Sequence, residues 1–297
     1  MLRVAWQEGT LMKIGTHDGR FHSDETFSVA TLLLVYPDAE VVRTRDEEVL
    51  ATCDIRVDVG RKYDPATGDY DHHQALPPRA NGIKYSSLGI IWNSFGVQAC
   101  GGEEETKLHV EERFIQVIDA RDNGQRLYGD SRRFGGVRPY DAADLIDEFN
   151  PGWDDLNLDY DSAFTQAVDL AKEALRNIIR RSRSAVKAKP FVVRAINLAE
   201  DPRIIVLERA CPWKEVVDRF APKALYVVFP DVDKWLVQCV PGSKGIKRHL
   251  PACWLTNDFA TITGVPDAVF VHGGLYLCSA RSKEGALALA NLALEQQ

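Results

Sequence analysis

Residues 13–36 read KIGTHDGRFHSDETFSVATLLLVY. The run 13–16 is short, apolar and strand-like, residues 16–25 are almost wholly polar, and 25–36 return to an apolar pattern of helical period. Two further strand-like runs follow at 41–44 and 55–59. Short strands alternating with helices are the mark of crossover units in a mainly parallel sheet covered by helices, so the class expected is α/β. Ligand sites in such sheets lie beyond the carboxyl ends of the strands, which is where the polar stretch falls.

Outward from this unit, apolar residues recur three or four apart over 86–100, 106–122 and 141–149, which predicts helices. The longest periodic segment runs over 161–187, with Phe164, Val168, Ala171, Leu175, Ile178 and Ile179 on one stripe. Its basic end carries Arg176, Arg180, Arg181, Arg183, Lys187 and Lys189, and reads as a solvated helix end before a nucleic-acid contact. Pro190 is expected to stop this helix. Strand-like runs then appear at 204–208, 225–229, 234–240 and 268–271, before a last helix from Lys283. The expected division is a catalytic domain over 12–188 and a second, smaller α/β (or α+β) domain over 189–297. Residues 1–12 are expected to be a loose extension.

Of 297 residues, 45% are apolar and 27% charged, the balance of an ordinary globular protein. A net charge of -7 argues against a surface that grips duplex nucleic acid everywhere, while a local basic groove stays open. Six cysteines without a C-x-x-C pair suggest reduced thiols rather than a zinc knuckle or a dithiol redox motif. No stretch approaches the roughly 20 apolar residues of a bilayer span, so no membrane partner is expected and a soluble, cytoplasmic protein is.

Three polar clusters stand where strands should end: residues 16–25, Asp58 in Val57-Asp58-Val59-Gly60, and Tyr70-Asp71-His72-His73-Gln74. Any one histidine or strand-end aspartate has an ordinary structural explanation. Four of the chain's seven histidines fall inside these clusters, however, and their joint occurrence favours chemistry. Imidazole and carboxylate together suit manganese, magnesium, iron or zinc, and the absence of cysteine disfavours a purely structural zinc site.

The clusters, with Gly15-Thr16-His17, Phe21-His22-Ser23-Asp24-Glu25, Val42-Arg43-Thr44-Arg45-Asp46, Asp119-Ala120-Arg121-Asp122-Asn123-Gly124, Ala210-Cys211-Pro212-Trp213-Lys214 and Phe270-Val271-His272-Gly273, resemble the Myg (melanocyte proliferating gene) branch of the DHH phosphoesterase superfamily. Eight motifs in the family's order span nearly the whole chain. The wider superfamily usually has an aspartate where His22 stands, a departure that resembles the Myg branch's own pattern.

The resemblance implies that His17 and His22 hold one metal, Asp24 and His72 the other, that Asp58 bridges them, and that Asp119 completes the ligand set of the second metal. Asp122, three residues on and on the same helical face, is the alternative. His73 is the candidate for meeting the scissile phosphate or donating a proton, with Asp71 orienting an imidazole. Substrate contacts are expected from Arg43, Arg248, His272, Gly273 and Arg281. Lys244 and Lys247 add to a basic spot with Arg248.

The activity implied is a 3′ to 5′ exonuclease on single-stranded RNA, or also DNA, with two divalent cations, manganese before magnesium, activating water. Two rival readings are hydrolysis of small nucleotides, short oligonucleotides or pyrophosphate, and a non-catalytic metal-binding regulator. The oligomeric state stays open, a homodimer included.

Overall fold

Apolar runs broken by turn-forming residues build two five-stranded sheets, one in each half of the chain, in the computed structural model, which describes residues 11–74, 76–127, 135–137, 139–243 and 245–296. The expected extension at 1–10 and Lys244 lie outside the described residues. The chain divides into two compact units, Met1–Arg183 and Ser184–Gln297.

In the first unit, strands β1 (Lys13–Thr16), β2 (Glu40–Arg43), β3 (Ile55–Val57), β4 (Tyr63–Asp64) and β5 (Asp69–Tyr70) lie in the order β2-β1-β3-β5-β4. Neighbours are parallel except for the β4–β5 hairpin. Helix α1 (Ser23–Val35) makes the crossover from β1 to β2, and the single turn α2 (Glu47–Leu50) makes the one from β2 to β3. Gly15 lets β1 pack closely here, since a Cβ would stand 3.0 Å from Cys53 Sγ and Leu50 Cδ2, and those side chains would have to give way.

The register decides what emerges from the sheet. Thr16 pairs with Val57, and Val57 pairs with Tyr70. The residues that follow, His17, Asp58 and Asp71, therefore leave the carboxyl edge of three adjacent strands at one level.

Helix α3 (Ser87–Ala99) packs along α1. The helix expected over 106–122 is instead α4 (Glu104–Val110), a π turn (Glu111–Ile115) and α5 (Gln116–Asp122). A short α6 (Ala142–Asp147) follows. Ile14, Phe21, Val57, Trp92, Ile118, Ile146 and Phe164 are fully buried in one core between these helices and the sheet.

Helix α7 (Tyr160–Asn197) does not stop at Pro190. Proline removes one backbone bond and costs about 3 kcal/mol inside a helix. Here Ala188 and Val192 are buried on either side of it, Val192 against Ile205, Leu207 and Trp213. That packing is lost if the helix ends early, and it outweighs the local penalty.

The second unit comprises β6 (Ile204–Val206), α8 (Lys214–Phe220), β7 (Tyr226–Asp231), β8 (Lys234–Cys239), the two-residue strands β9 (Pro241–Gly242) and β10 (Gly245–Ile246), α9 (Phe259–Thr263), β11 (Ala268–Val271), β12 (Leu277–Ala280) and α10 (Lys283–Glu295). Its main sheet runs β11-β12-β8-β7-β6. Only β6 and β7 are parallel, since the tight β7–β8 and short β11–β12 connections can join antiparallel strands alone. Among the described residues no helix is long and apolar enough to cross a membrane. All six cysteines are free thiols.

Candidate metal centre

The loop after β1 and the first turn of α1 supply four groups. His17 is buried, with Nε2 3.0 Å from Glu25 Oε1 and 3.5 Å from Asp58 Oδ2. His22 is the N-cap of α1, and its backbone N–H donates to Glu25 Oε1 at 2.7 Å. Its ring Nδ1 lies 3.9 Å from the same oxygen. Asp24 and Glu25 sit in the first turn, where carboxylates suit the helix dipole, yet both are completely buried. Asp24 Oδ2 accepts from Ser87 N at 3.2 Å and Ser87 Oγ at 2.7 Å, at the start of α3.

Asp58 leaves β3 with φ 54°, and Gly60 and Arg61 also take positive φ. Left-handed backbone is costly outside glycine, although aspartate tolerates it better than most, and such strain gathers at functional sites. The sharp turn aims the two Asp58 oxygens at different imidazoles: Oδ2 at His17, and Oδ1 at His72 Nε2, 3.3 Å away. His72 Nε2 also lies 3.8 Å from Asp24 Oδ2 and 3.5 Å from Asp122 Oδ2.

Asp71 is buried and fixed by Arg61 N at 2.7 Å and His73 N at 2.9 Å, and it holds His73 Nδ1 at 2.8 Å. The His73 side chain is 61% exposed, so this imidazole faces outward from a rigid support.

Crowded carboxylates and imidazoles shift one another. Burial disfavours charge on His17, but hydrogen bonds to Asp58 and Glu25 outweigh it and raise the ring to about 10. His72 rises to about 9 for the same reasons, burial opposing and Asp58 and Asp24 prevailing. Burial, then the charge of Asp24, lift Asp122 to about 8. Burial also lifts Glu25 well above the carboxylate range, assisted by Asp24 and Asp58 and opposed by His17. Asp58 is pushed down: burial works against this, and attraction to His17 and His72 wins.

The residues fit divalent cations. Asp24 Oδ1, Glu25 Oε2 and Asp58 Oδ1 are buried without a hydrogen-bond partner; the last is in ion-pair reach of His72 but makes no hydrogen bond. Unpaired buried carboxylate oxygens are costly in a protein unless a cation meets them. Ligand atoms of His17, His22 and Glu25, of Asp24, His72 and Asp122, of Asp58, His72 and His73, and of Asp24, Glu25 and Asp58 lie within 4.8 Å of one another in each set.

The structure thus brings together His17, His22, Asp24, Asp58, His72 and His73. Asp119 lies elsewhere. Its Oδ1 accepts from Ser86 N, Ser86 Oγ and Gly89 N at 3.2, 2.6 and 3.0 Å, and its Oδ2 faces Arg79 Nη2 at 2.7 Å. Burial raises it to about 6 against the pull of Ser86 and Arg79. Asp122, one turn along α5, is the carboxylate beside Asp24 and His72.

Sequence reasoning missed Glu25. The signal was the spacing His22-x-x-Glu25, which reads as an ordinary capping box. Its complete burial is visible only in three dimensions.

Arg43 turns inward, donating to Gly19 O, Tyr160 O and Asp161 Oδ1 at 2.6, 3.0 and 2.6 Å and stacking on Phe21 and Phe164. In the second unit Arg248 caps α10 through Leu294 O and Gln296 O at 3.1 and 3.3 Å. His272 accepts from Gly274 N at 2.9 Å and pairs with Tyr276 Oη at 3.0 Å. Gly273 has open space where a side chain would lie, and Arg281 is exposed.

A family model, MYG1_exonuc, described as Uncharacterised protein family (UPF0160), matches residues 13–294. The chain is 34% identical to the MYG1 exonuclease of Homo sapiens over 326 aligned residues, which cover 96% of this chain and 86% of that protein. The MYG1 exonuclease of Bos taurus is 35% identical over 96% of this chain and 85% of its own length. The MYG1 protein of Chlamydia muridarum is 29% identical, covering 96% and 97%.

Proposed function

The chain belongs to the MYG1_exonuc family, and from that premise we propose that it is a metal-dependent phosphodiesterase of DHH type, acting as a 3′ to 5′ exonuclease on single-stranded RNA. The names of the mammalian relatives support the exonuclease part. What carries the metal-dependent part is one observation: four carboxylates and four imidazoles converge at the carboxyl edge of a parallel sheet, with three buried carboxylate oxygens left without hydrogen bonds.

His17, His22 and Glu25 would hold one divalent cation, and Asp24, His72 and Asp122 the other, with Asp58 between them. Manganese is the first choice for this oxygen-rich, thiolate-free set, and magnesium the second. When bound, such a pair lowers the pKa of water toward about 7 and neutralises charge on the phosphate and its leaving oxygen.

The chain's own groups do the rest. Asp71 accepts from His73 Nδ1 and so orients the ring, and in the doubly protonated ring Nε2–H is free to meet the phosphate or to donate to the departing oxygen. Ser87 fixes Asp24 from the start of α3, so that its other oxygen points into the cluster. In the second unit, the open backbone at Gly273 and the exposed Arg281 are proposed to hold the remaining phosphates.

The test is degradation of a 5′-labelled single-stranded RNA by the wild-type protein with Mn²⁺ and by Asp58→Ala. Stepwise shortening from the 3′ end is expected, with loss of at least about 100-fold in rate for the variant. Inactivity of wild type on RNA of every length, with turnover of dinucleotides, would replace the substrate. Unimpaired hydrolysis by Asp58→Ala would end the metal-centred reading.

A further inference from the structure

The backbone of the loop between His17 and His22 is held almost entirely by side chains from elsewhere. Arg45 reaches Asp18 O at 3.3 Å and Arg43 reaches Gly19 O at 2.6 Å. The tightest grip falls on Phe21. Asn150, three residues beyond α6, accepts from Phe21 N with Oδ1 at 3.0 Å and donates from Nδ2 to Phe21 O at 2.9 Å. One amide thus satisfies both polar groups of one residue, as a neighbouring strand would. The Phe21 ring is anchored as well, fully buried and edge-on to Phe164 at 5.3 Å.

The next residue is His22. Its side chain is 57% exposed, whereas His17 and Glu25, the other members of its set, are 7% and 0% exposed. An imidazole with so little packing takes its direction from the start of the helix that carries it, including the capping contact between its side chain and Glu25 N.

We infer that Asn150 is a positioning residue for the His17–His22–Glu25 cation position, acting through Phe21 to hold His22 in ligating geometry. The inference rests on the cluster being a cation site, and it concerns one position of the two. Asn150 does not touch any ligand of the Asp24–His72–Asp122 position among the contacts described, so that position is independent of it.

The experiment is Mn²⁺ titration of metal-stripped wild type, Asn150→Ala and Asn150→Asp by calorimetry, with melting curves alongside. Wild type is expected to take up two cations. Asn150→Ala should keep one position at wild-type affinity and lose about 10- to 100-fold at the other, the usual effect of removing a group that orients a ligand. Asn150→Asp keeps the acceptor for Phe21 N–H without the donor for Phe21 O, and should fall between; it also serves if the alanine variant does not fold. Glu148→Ala, an exposed side chain on the same turn, should bind as wild type.

Two full-affinity positions in Asn150→Ala would overturn the inference while leaving the cluster reading intact. Equal weakening of both positions with a lower melting temperature would overturn it too, because that is the signature of a purely structural role. A wild type that takes up no cation would remove the cluster reading and this inference together.

Discussion

Glu25→Gln separates a cation ligand from a helix cap, because the two roles differ in sign in the metal-free protein. Glutamine keeps the shape and an acceptor for the His22 N–H, now 2.7 Å from Oε1. Only charge is lost. The ligand oxygens of Asp24, Glu25 and Asp58 lie within 4.8 Å of one another. At an effective dielectric of about 20, each such pair repels by about 3 to 4 kcal/mol. Attraction to His17, 3.0 Å away, returns about 5 to 6 kcal/mol on the same scale, so the Glu25 charge is unfavourable by on the order of 1 kcal/mol.

Metal-free Glu25→Gln should therefore melt at or slightly above metal-free wild type. With Mn²⁺ in fixed excess the order should reverse, since a 100-fold weaker affinity removes about 2.7 kcal/mol of metal-linked stability. Melting curves with chelator and with Mn²⁺ read both signs. A variant that melts well below wild type without metal, yet keeps the full Mn²⁺-induced rise, would show that Glu25 serves the helix and not the cation.

Asp122→Asn should leave metal-free stability nearly unchanged, because Asp122 stays protonated up to about pH 8 without metal, but should weaken Mn²⁺ binding in calorimetric titration. Asp119→Asn should do the reverse, lowering the denaturant midpoint, because Arg79 keeps only Glu111 as a buried counter-charge and the donors at the start of α3 lose a charged acceptor. Asp69 gives a pH dependence away from the cluster. Burial opposes its charge, but bonds from Arg56, Thr67 and Lys62 prevail and depress it from 3.8 to about 2. A depressed carboxyl stabilises the fold above its unfolded pKa and loses that contribution as pH falls through the folded one. Wild type should thus lose about 2 kcal/mol between about pH 4 and 2 that Asp69→Asn lacks, measured by acid titration of urea midpoints.

The first sheet was readable because its strands are short, apolar and separated by crossovers, and Lys13–Thr16, Glu40–Arg43 and Ile55–Val57 stand within a residue or two of the expected runs. The second was less so. Apolar runs such as 225–229 and 234–240 announce strands but carry no direction, and direction came from connections too short for a crossover. Pro190 misled because local propensity is decided locally, whereas the helix is held through it by Val192, whose partners Ile205 and Trp213 are distant in sequence. The π turn at Glu111–Ile115 likewise left no trace in a periodicity that reads 106–122 as one helix.

At the cluster, residue type was legible and partnership was not. Asp119 and Asp122 are three apart on one helix and share a face, so no pattern chooses between them. The choice is made by a different helix. The first turn of α3 has backbone N–H groups without intrahelical acceptors, and these must find oxygens. Ser86 N and Gly89 N take Asp119, and Ser87 N takes one oxygen of Asp24. A carboxylate used this way on one oxygen, and faced on the other by Arg79, already has a cationic partner within the protein. Gly89 seals the arrangement, since a Cβ there would stand 2.2 Å from Asp119 Oδ2. Asp122, a turn further on and clear of those donors, lies beside Asp24 and His72 instead, and under the proposed function it is the carboxylate left to meet the cation.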